Sequence, residues 1–129
     1  SLMTGVYFFV DFAPFELGLP IHDEFDAAMA EHEPDSQPAR QQLAVVGWIN
    51  ADLFIRGLQE AGDCPSRAAW LDGLRGVSDY DAGGWLLEPT DLGDLNRPDD
   101  CMYVVQVSAD GTAFEPVEDA QPVCTEPVG

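Results

Sequence analysis

Residues 43–62, LAVVGWINADLFIRGLQEAG, carry the clearest hydrophobic pattern of the chain. Apolar positions recur there at steps of three and four residues, which is typical of a helix with one buried face. The predicted buried stripe consists of Leu43, Val46, Ile49, Leu53, Phe54 and Leu58. Gly62 favours a left-handed stop, and Pro65 just beyond it cannot easily continue a helix. We therefore predict a core helix that begins near Ala39 and ends at Gly62.

Two more helices are indicated by start signals followed by periodic apolar positions. Pro20 begins the first, which ends near Glu33 because Pro34 follows. Its buried residues are predicted to be Ile21, Phe25, Ala28 and Met29. Ser66 caps the second helix. The buried stripe predicted for that helix consists of Ala69, Trp70, Leu74 and Val77.

Apolar runs bounded by turn residues predict strands near both ends of the chain. Val6–Val10, VYFFV, is apolar throughout and indicates a buried strand. Met102–Ser108 and Thr112–Val117 flank Asp110–Gly111, a favoured two-residue turn, and so predict a β-hairpin. Pro116 predicts that the second hairpin strand is at a sheet edge there or is ending, because proline cannot donate to a ladder.

The element order predicts an α/β fold in which helices pack on a small sheet with a C-terminal β-hairpin. With 129 residues the chain has the length of one domain. Within the turn-rich connection that follows residue 79, the apolar piece Trp85–Leu87 predicts one short strand. We divide the chain into a tag remnant (1–4), a strand and crossover (5–20), a helical part (21–78), and a long connection with the closing hairpin (79–129).

Composition excludes several classes of function. Acidic residues outnumber basic ones 24 to 5, and the formal charge of −19 would repel nucleic-acid backbones and anionic lipid heads. The chain contains no lysine, so Schiff-base chemistry and a phosphate-loop lysine are excluded. No apolar run approaches the ~20 residues needed to span a bilayer. We therefore expect neither nucleic-acid binding nor direct membrane insertion.

The three cysteines are too few and too widely spaced for a zinc knuckle. In the predicted hairpin Cys101 would face residue 120, so a tail that folds back could bring Cys124 to it. We favour a Cys101–Cys124 disulfide over a pairing of either cysteine with Cys64. The odd count leaves one thiol free or paired outside this chain.

The remaining candidate chemistry is sparse. His22 and His32 are ten residues apart on one predicted helix and point in different directions, so we predict two solvent-facing side chains rather than a metal site. No glycine-framed nucleophilic serine, HExxH motif or nucleotide-binding glycine loop is present. We expect a protein that is not an enzyme and needs no cofactor or metal.

Five segments, taken in order, resemble the C-terminal third of the periplasmic solute-binding proteins that serve ABC importers of the leucine/isoleucine/valine type. The segments are Gly5–Val10 with its proline-bearing crossover, the helix around Phe25, GWINADLFIRGLQEAG (47–62), SRAAWLDGLRGVSDYDAGG (66–84) and CMYVVQVSADGTAFEPV (101–117). The resemblance covers almost the whole chain. It implies a type I fold of two α/β lobes that hold the ligand in the cleft between them, and a chain that supplies only part of this fold.

The resemblance also implies a function and a site. An extracytoplasmic solute-binding component of an ABC importer would capture an amino acid or related solute and deliver it to the permease. The positions nearest the family's cleft are Asp11–Phe15 and Leu43–Trp48, which makes Phe12, Phe15 and Trp48 the candidates for apolar or stacking contact with the ligand. For each of the three, packing in the core remains an equal alternative.

Two other functions remain open from the sequence. A ligand-sensing receptor domain of the same fold would occur beside a signalling domain or membrane helix. A small acidic interaction module without a ligand would have a self-contained sheet and no aromatic residues facing a cleft. A chain with part of a sheet would also mask its apolar faces by forming a homo-oligomer.

Overall fold

The computed structural model describes residues 3–94, 101–117 and 121–124. Within these ranges it contains helices α1 (Pro20–His32), α2 (Gln42–Ala61) and α3 (Arg67–Arg75), and strands β1 (Tyr7–Val10), β2 (Cys101–Val107), β3 (Phe114–Pro116) and β4 (Val123–Cys124). Part of the predicted tag remnant (1–2) and parts of the predicted last segment (95–100, 118–120, 125–129) lie outside the described residues. The predicted α/β class is confirmed, with three helices packed with a small antiparallel sheet.

The helix boundaries follow from the local signals. Pro20 occupies the first position of α1, where its missing N–H would have no intrahelical acceptor. Gly62 ends α2 with a φ of +74°, a value that side chains other than glycine rarely tolerate. The Ser66 hydroxyl accepts a hydrogen bond from the Ala69 N–H at 3.1 Å and caps α3. The predicted start of the core helix was three residues early, since α2 begins at Gln42.

Strand β2 lies between β1 and β3, and it also pairs with β4 through Cys101 and Met102. Val107 pairs with Phe114, the register that a turn centred on residues 110 and 111 requires. The connection is longer than the predicted two-residue turn, because the Ser108 N–H donates to the Ala113 carbonyl and encloses residues 109–112. Strand β3 pairs with β2 alone among the described residues, so the prediction of an edge strand was correct.

Strand β1 is not buried, contrary to the expectation from its sequence. Tyr7 is 55% exposed and Phe9 is 67% exposed. Among the described residues β1 pairs only with β2. A run of apolar residues indicates a strand covered on both faces, and the described part of the chain provides no such cover here.

The predicted buried stripe of α2 was largely wrong. Leu43 is 81% exposed, whereas Val45 and Gly57 are buried. Trp70 of α3 explains this orientation, since its indole Nε1–H donates to the Phe54 carbonyl at 3.0 Å and its ring lies against Gly57. Both sides of α2 carry large apolar residues, so periodicity alone could not select the buried one.

The close approach of α2 and α3 gives a prediction for stability. A Cβ on Gly57 would overlap the indole ring of Trp70, so we expect Gly57→Ala to lower the free energy of unfolding by about 1–3 kcal/mol. Gly47 lies in the same helix, and a Cβ added there would have no heavy atom within 4 Å, so Gly47→Ala should raise that free energy by about 0.5–1 kcal/mol. Urea denaturation of both variants, followed by circular dichroism, measures these changes. Equal stabilisation by the two substitutions would contradict the proposed contact.

The long connection contributes the centre of the core rather than a strand. Trp85–Leu87 has no strand structure; it follows a short 3-10 turn, Ala82–Gly84. Among the described residues of this connection, strand-like pairing consists of one antiparallel bridge between Tyr80 and Thr90. The Trp85 side chain is fully buried and belongs to the main hydrophobic cluster.

Candidate functional site

A compact segment between β1 and α1 carries two of the predicted ligand-contacting residues. It begins at the buried Phe12 and Ala13, and Ala13 N–H donates to the Trp85 carbonyl at 2.8 Å. It then makes a one-turn 3-10 helix, Phe15–Leu17, which ends at Gly18 with a φ of +60°. The glycine allows the left-handed residue that returns the chain to α1. The Phe15 side chain is thereby turned toward the core.

The rings of the core meet around Trp85. Its centroid lies 6.0 Å from that of Phe12, 5.4 Å from Phe15, 5.0 Å from His22 and 5.6 Å from Phe25. These separations and the tilted or perpendicular ring planes are favourable for aromatic packing. Sequence reasoning missed Trp85 as a member of this site because it lies far along the chain from Phe12 and Phe15.

The three predicted ligand-contacting residues belong to this cluster but differ in accessibility. Phe12 is only 6% exposed, whereas Phe15 and Trp48 are half-buried. Trp48 contacts Phe25, with the ring centroids 5.5 Å apart, and Phe25 also contacts Phe15 at 5.6 Å. The structure therefore places both Phe15 and Trp48 in contact with Phe25, and both residues are partly exposed.

A charged pair borders the same surface. The Arg40 guanidinium lies 4.9 Å from the centroid of the Phe15 ring, within the range of a cation–π interaction. Arg40 also donates from Nε to both carboxylate oxygens of Asp26 at 3.1 Å. These hydrogen bonds lower the pKa of Asp26 and raise that of Arg40. We call Phe15, Trp48, Arg40 and Asp26 the aromatic rim.

His22 lies beneath this rim. It is buried, contrary to the prediction of a solvent-facing side chain. Its side chain is 1% exposed, with the Leu19 N–H donating to Nδ1 at 3.1 Å and Nε2 lying 3.1 Å from the Ala13 carbonyl. Burial lowers the pKa of His22. The sequence pattern misled because His22 follows Ile21 directly, and the first turn of α1 buries both residues.

Trp85 has a polar atom with no partner in the described part of the chain. The indole Nε1–H is buried and has no hydrogen-bond partner among the described residues. A buried donor without an acceptor costs about 1–3 kcal/mol relative to its solvated state. The surrounding rings provide no strong acceptor for this N–H.

A concave region lies elsewhere on the molecule, between α2 and the segment before Trp85. It encloses about 180 Å³ and is lined by Asp52, Ile55, Arg56, Gln59 and residues 80–83. The buried Tyr80 hydroxyl donates to the Ile49 carbonyl at 3.2 Å, and burial raises the pKa of Tyr80. Arg56 already pairs with Glu60 at 2.8 Å. None of the predicted ligand-contacting residues lines this depression.

Two features are absent from the described ranges. There, no helix combines the length and apolar character required to cross a membrane. Nor do those residues include a group of three or more histidine, cysteine, aspartate or glutamate side chains arranged to hold a metal ion.

Comparison with known proteins identifies a family. A family model described as periplasmic binding protein matches residues 1–112 of the 129-residue chain. No curated protein and no solved structure matches the chain. The matched region includes every residue of the aromatic rim as well as Phe12, His22 and Trp85.

Proposed function

Because the chain belongs to the periplasmic binding protein family, which has a solute-binding role, we propose that it binds an amino acid or a related small solute. In this proposal it acts as the extracytoplasmic solute-binding component of an ABC importer and delivers the solute to a permease. The observation that carries the proposal is the aromatic rim, which lies within the region that the family model matches.

The chemistry of the rim suits an amino acid. Phe15 and Trp48 are partly exposed aromatic residues that could contact an apolar side chain. Arg40 and Asp26 form an ion pair beside Phe15, and these two groups would bind a carboxylate and an ammonium group once the solute replaces their mutual contact. Phe12 is buried and would support Phe15 and the neighbouring rings from inside. Binding would favour closure of two lobes because the solute contacts both of them only in the closed state.

The disulfide supports an extracytoplasmic location. Cys101 and Cys124 are joined in the structure, and Cys64 is a free, exposed thiol. Disulfides persist mainly in oxidising compartments such as the periplasm and the cell exterior. This is the setting in which an importer's binding protein meets its solute.

Exposed apolar surface supports the proposed self-association of this chain. Large side chains of β1 and α2 are exposed, among them Tyr7, Phe9, Leu43 and Phe54. Burial of such surface is favourable in water. We propose that two copies associate through these faces. Native mass spectrometry at increasing protein concentration tests this, and a monomer throughout the concentration series would refute it.

Substitutions in the rim test the proposed binding site. Phe15→Ala and Trp48→Ala should each weaken solute binding about tenfold, because each removes one ring contact. A panel of amino acids is screened by native mass spectrometry of the unreduced chain, and the retained solute is then titrated calorimetrically into each variant. Phe54→Ala is the control, since Phe54 is an aromatic residue that contacts Trp70, outside the rim.

The outcomes separate the alternatives. A retained amino acid with an affinity that depends on Phe15 and Trp48 but not on Phe54 supports the proposal. An equal loss of affinity in the Phe54→Ala variant would move the site away from the rim. Retention of no amino acid from the panel would contradict the assignment of this solute class.

A further inference from the structure

His22 connects the two ends of the segment that carries Phe15. The Leu19 N–H donates to Nδ1 at one end, and Nε2 lies 3.1 Å from the Ala13 carbonyl at the other. Since a backbone N–H occupies Nδ1, the hydrogen of the neutral ring is on Nε2 and is donated to Ala13. Both nitrogens of the imidazole are therefore used to hold residues 13–19 against α1.

The middle of this segment has few other hydrogen bonds to the rest of the protein. Leu17 N–H donates to Pro14 at 3.0 Å and Gly18 N–H donates to Phe15 at 3.1 Å, so both bonds lie within the segment. The Phe15 ring packs 5.1 Å from the ring of His22 and 5.4 Å from that of Trp85. The position of Phe15 thus depends on the imidazole both through the backbone ends and through direct ring contact.

We propose that neutral His22 is a positioning residue that latches residues 13–19 closed, and that its protonation releases this segment together with Phe15. The physical reason is the number of N–H donors that the imidazole carries in its neutral and protonated forms. A protonated imidazole carries hydrogen on both nitrogens, so Nδ1–H would face the Leu19 N–H and the hydrogen bond would be lost. The positive charge would also be buried among aromatic rings, which is unfavourable without a direct anionic partner.

The charged groups around His22 only partly oppose this effect. Glu16 in the segment and Asp26 on α1 favour the protonated ring, whereas Arg40, which precedes α2, disfavours it. Asp26 is already paired with Arg40. Burial is the largest influence and keeps the pKa of His22 below its ordinary value of 6.5.

The sign of the pH dependence follows from this lowered pKa. Above about pH 6.5 the ring is neutral whether the segment is open or closed, so the full contribution of the latch is present. As the pH falls below that value, the open form binds a proton more readily than the closed form. The open population therefore rises by up to about tenfold per pH unit until the pKa of the closed form is reached.

The latch can be observed at the amide of Leu19 by NMR hydrogen exchange. Between about pH 8 and about pH 5, with intrinsic exchange rates corrected for, the protection factor of Leu19 should fall by up to about tenfold per pH unit below 6.5. The Trp70 N–H, which donates to the Ser66 carbonyl at 2.8 Å at the start of α3, is the internal reference. Its protection should not follow the titration of His22 if the opening is local.

Two variants provide matched controls. In His22→Gln, glutamine at the third helical position can still accept from the Leu19 N–H, but it does not titrate. Its Leu19 protection should be independent of pH over the same range. His32→Gln removes an exposed histidine from the same helix and should leave the pH dependence of the original chain intact. A parallel fall of Leu19 and Trp70 protection, or an unchanged pH dependence in His22→Gln, would overturn the latch.

The consequence for the solute rests on the proposed function. If Phe15 contacts the solute, affinity measured by calorimetry should fall with the same pH dependence as Leu19 protection, and His22→Gln should abolish that dependence. An affinity that stays constant while the segment opens would refute the link between the latch and binding. Absence of solute binding at every pH would contradict the proposed function, while the amide measurements would still decide whether the latch exists.

Discussion

Replacement of Trp85 with alanine should lower the free energy of unfolding by about 3–5 kcal/mol, the range found for large aromatic residues removed from cores. The side chain is fully buried and contacts four other rings, from Phe12, Phe15, His22 and Phe25. Removal of the indole would leave a cavity lined by these rings, and the cost depends on how far they relax into it. Urea denaturation of the two proteins under the same conditions measures the difference.

Trp85→Phe is the control for the indole nitrogen. It keeps an aromatic ring in the cluster but removes the N–H that has no partner among the described residues. Because a donor with no acceptor is lost, the destabilisation should be well below that of Trp85→Ala. A phenylalanine variant as unstable as the alanine variant would mean that the indole N–H has an acceptor in solution.

Removal of the disulfide by Cys101→Ser with Cys124→Ser should lower the free energy of unfolding by about 3 kcal/mol. The two cysteines are 23 residues apart. A cross-link that closes a loop of this size lowers the entropy of the unfolded chain and so raises its free energy by about 3 kcal/mol. The substitution also weakens the pairing of β4 with β2, which consists of the Cys101–Cys124 and Met102–Val123 pairs. The midpoint of urea denaturation should fall accordingly.

The third cysteine provides the matched control for this double substitution. Cys64 is exposed and free, so Cys64→Ser should change the free energy of unfolding by no more than about 0.5 kcal/mol. Reduction of the original chain with dithiothreitol should reproduce the loss seen in the double variant. If reduction has no effect on stability while Cys64→Ser does, the disulfide pairing is different in solution.

Local signals predicted the helices and the hairpin well. Pro20 and Ser66 mark the beginnings of α1 and α3, and Gly62 marks the end of α2. The register of the hairpin followed from the position of Asp110–Gly111 between two apolar runs. The family resemblance, read from the order of these elements, is confirmed by the family model that matches residues 1–112. Such features depend on the conformational preferences of residues that are close in sequence.

Burial was predicted less well because it depends on distant partners. Leu43 and Val45 are both apolar, yet the structure exposes the first and buries the second. The face of α2 that is buried is determined by the contact of Gly57 with Trp70. Trp70 belongs to α3, so the pattern of α2 alone does not predict this contact. The apolar sequence of β1 predicted a buried strand. That prediction was wrong because burial depends on cover from distant segments, which the described residues do not provide.

The sequence by itself determined the element order, most helix boundaries, the hairpin register and, by resemblance, the candidates Phe12, Phe15 and Trp48. Only the tertiary structure placed Trp85 at the centre of the core and joined His22 to Ala13 and Leu19. It also brought Arg40 to Phe15 and Asp26. Caps and turns act over a few neighbouring residues, so the sequence reveals them. The core and the candidate site arise where remote segments meet, and their geometry is decided by side-chain packing across the whole fold.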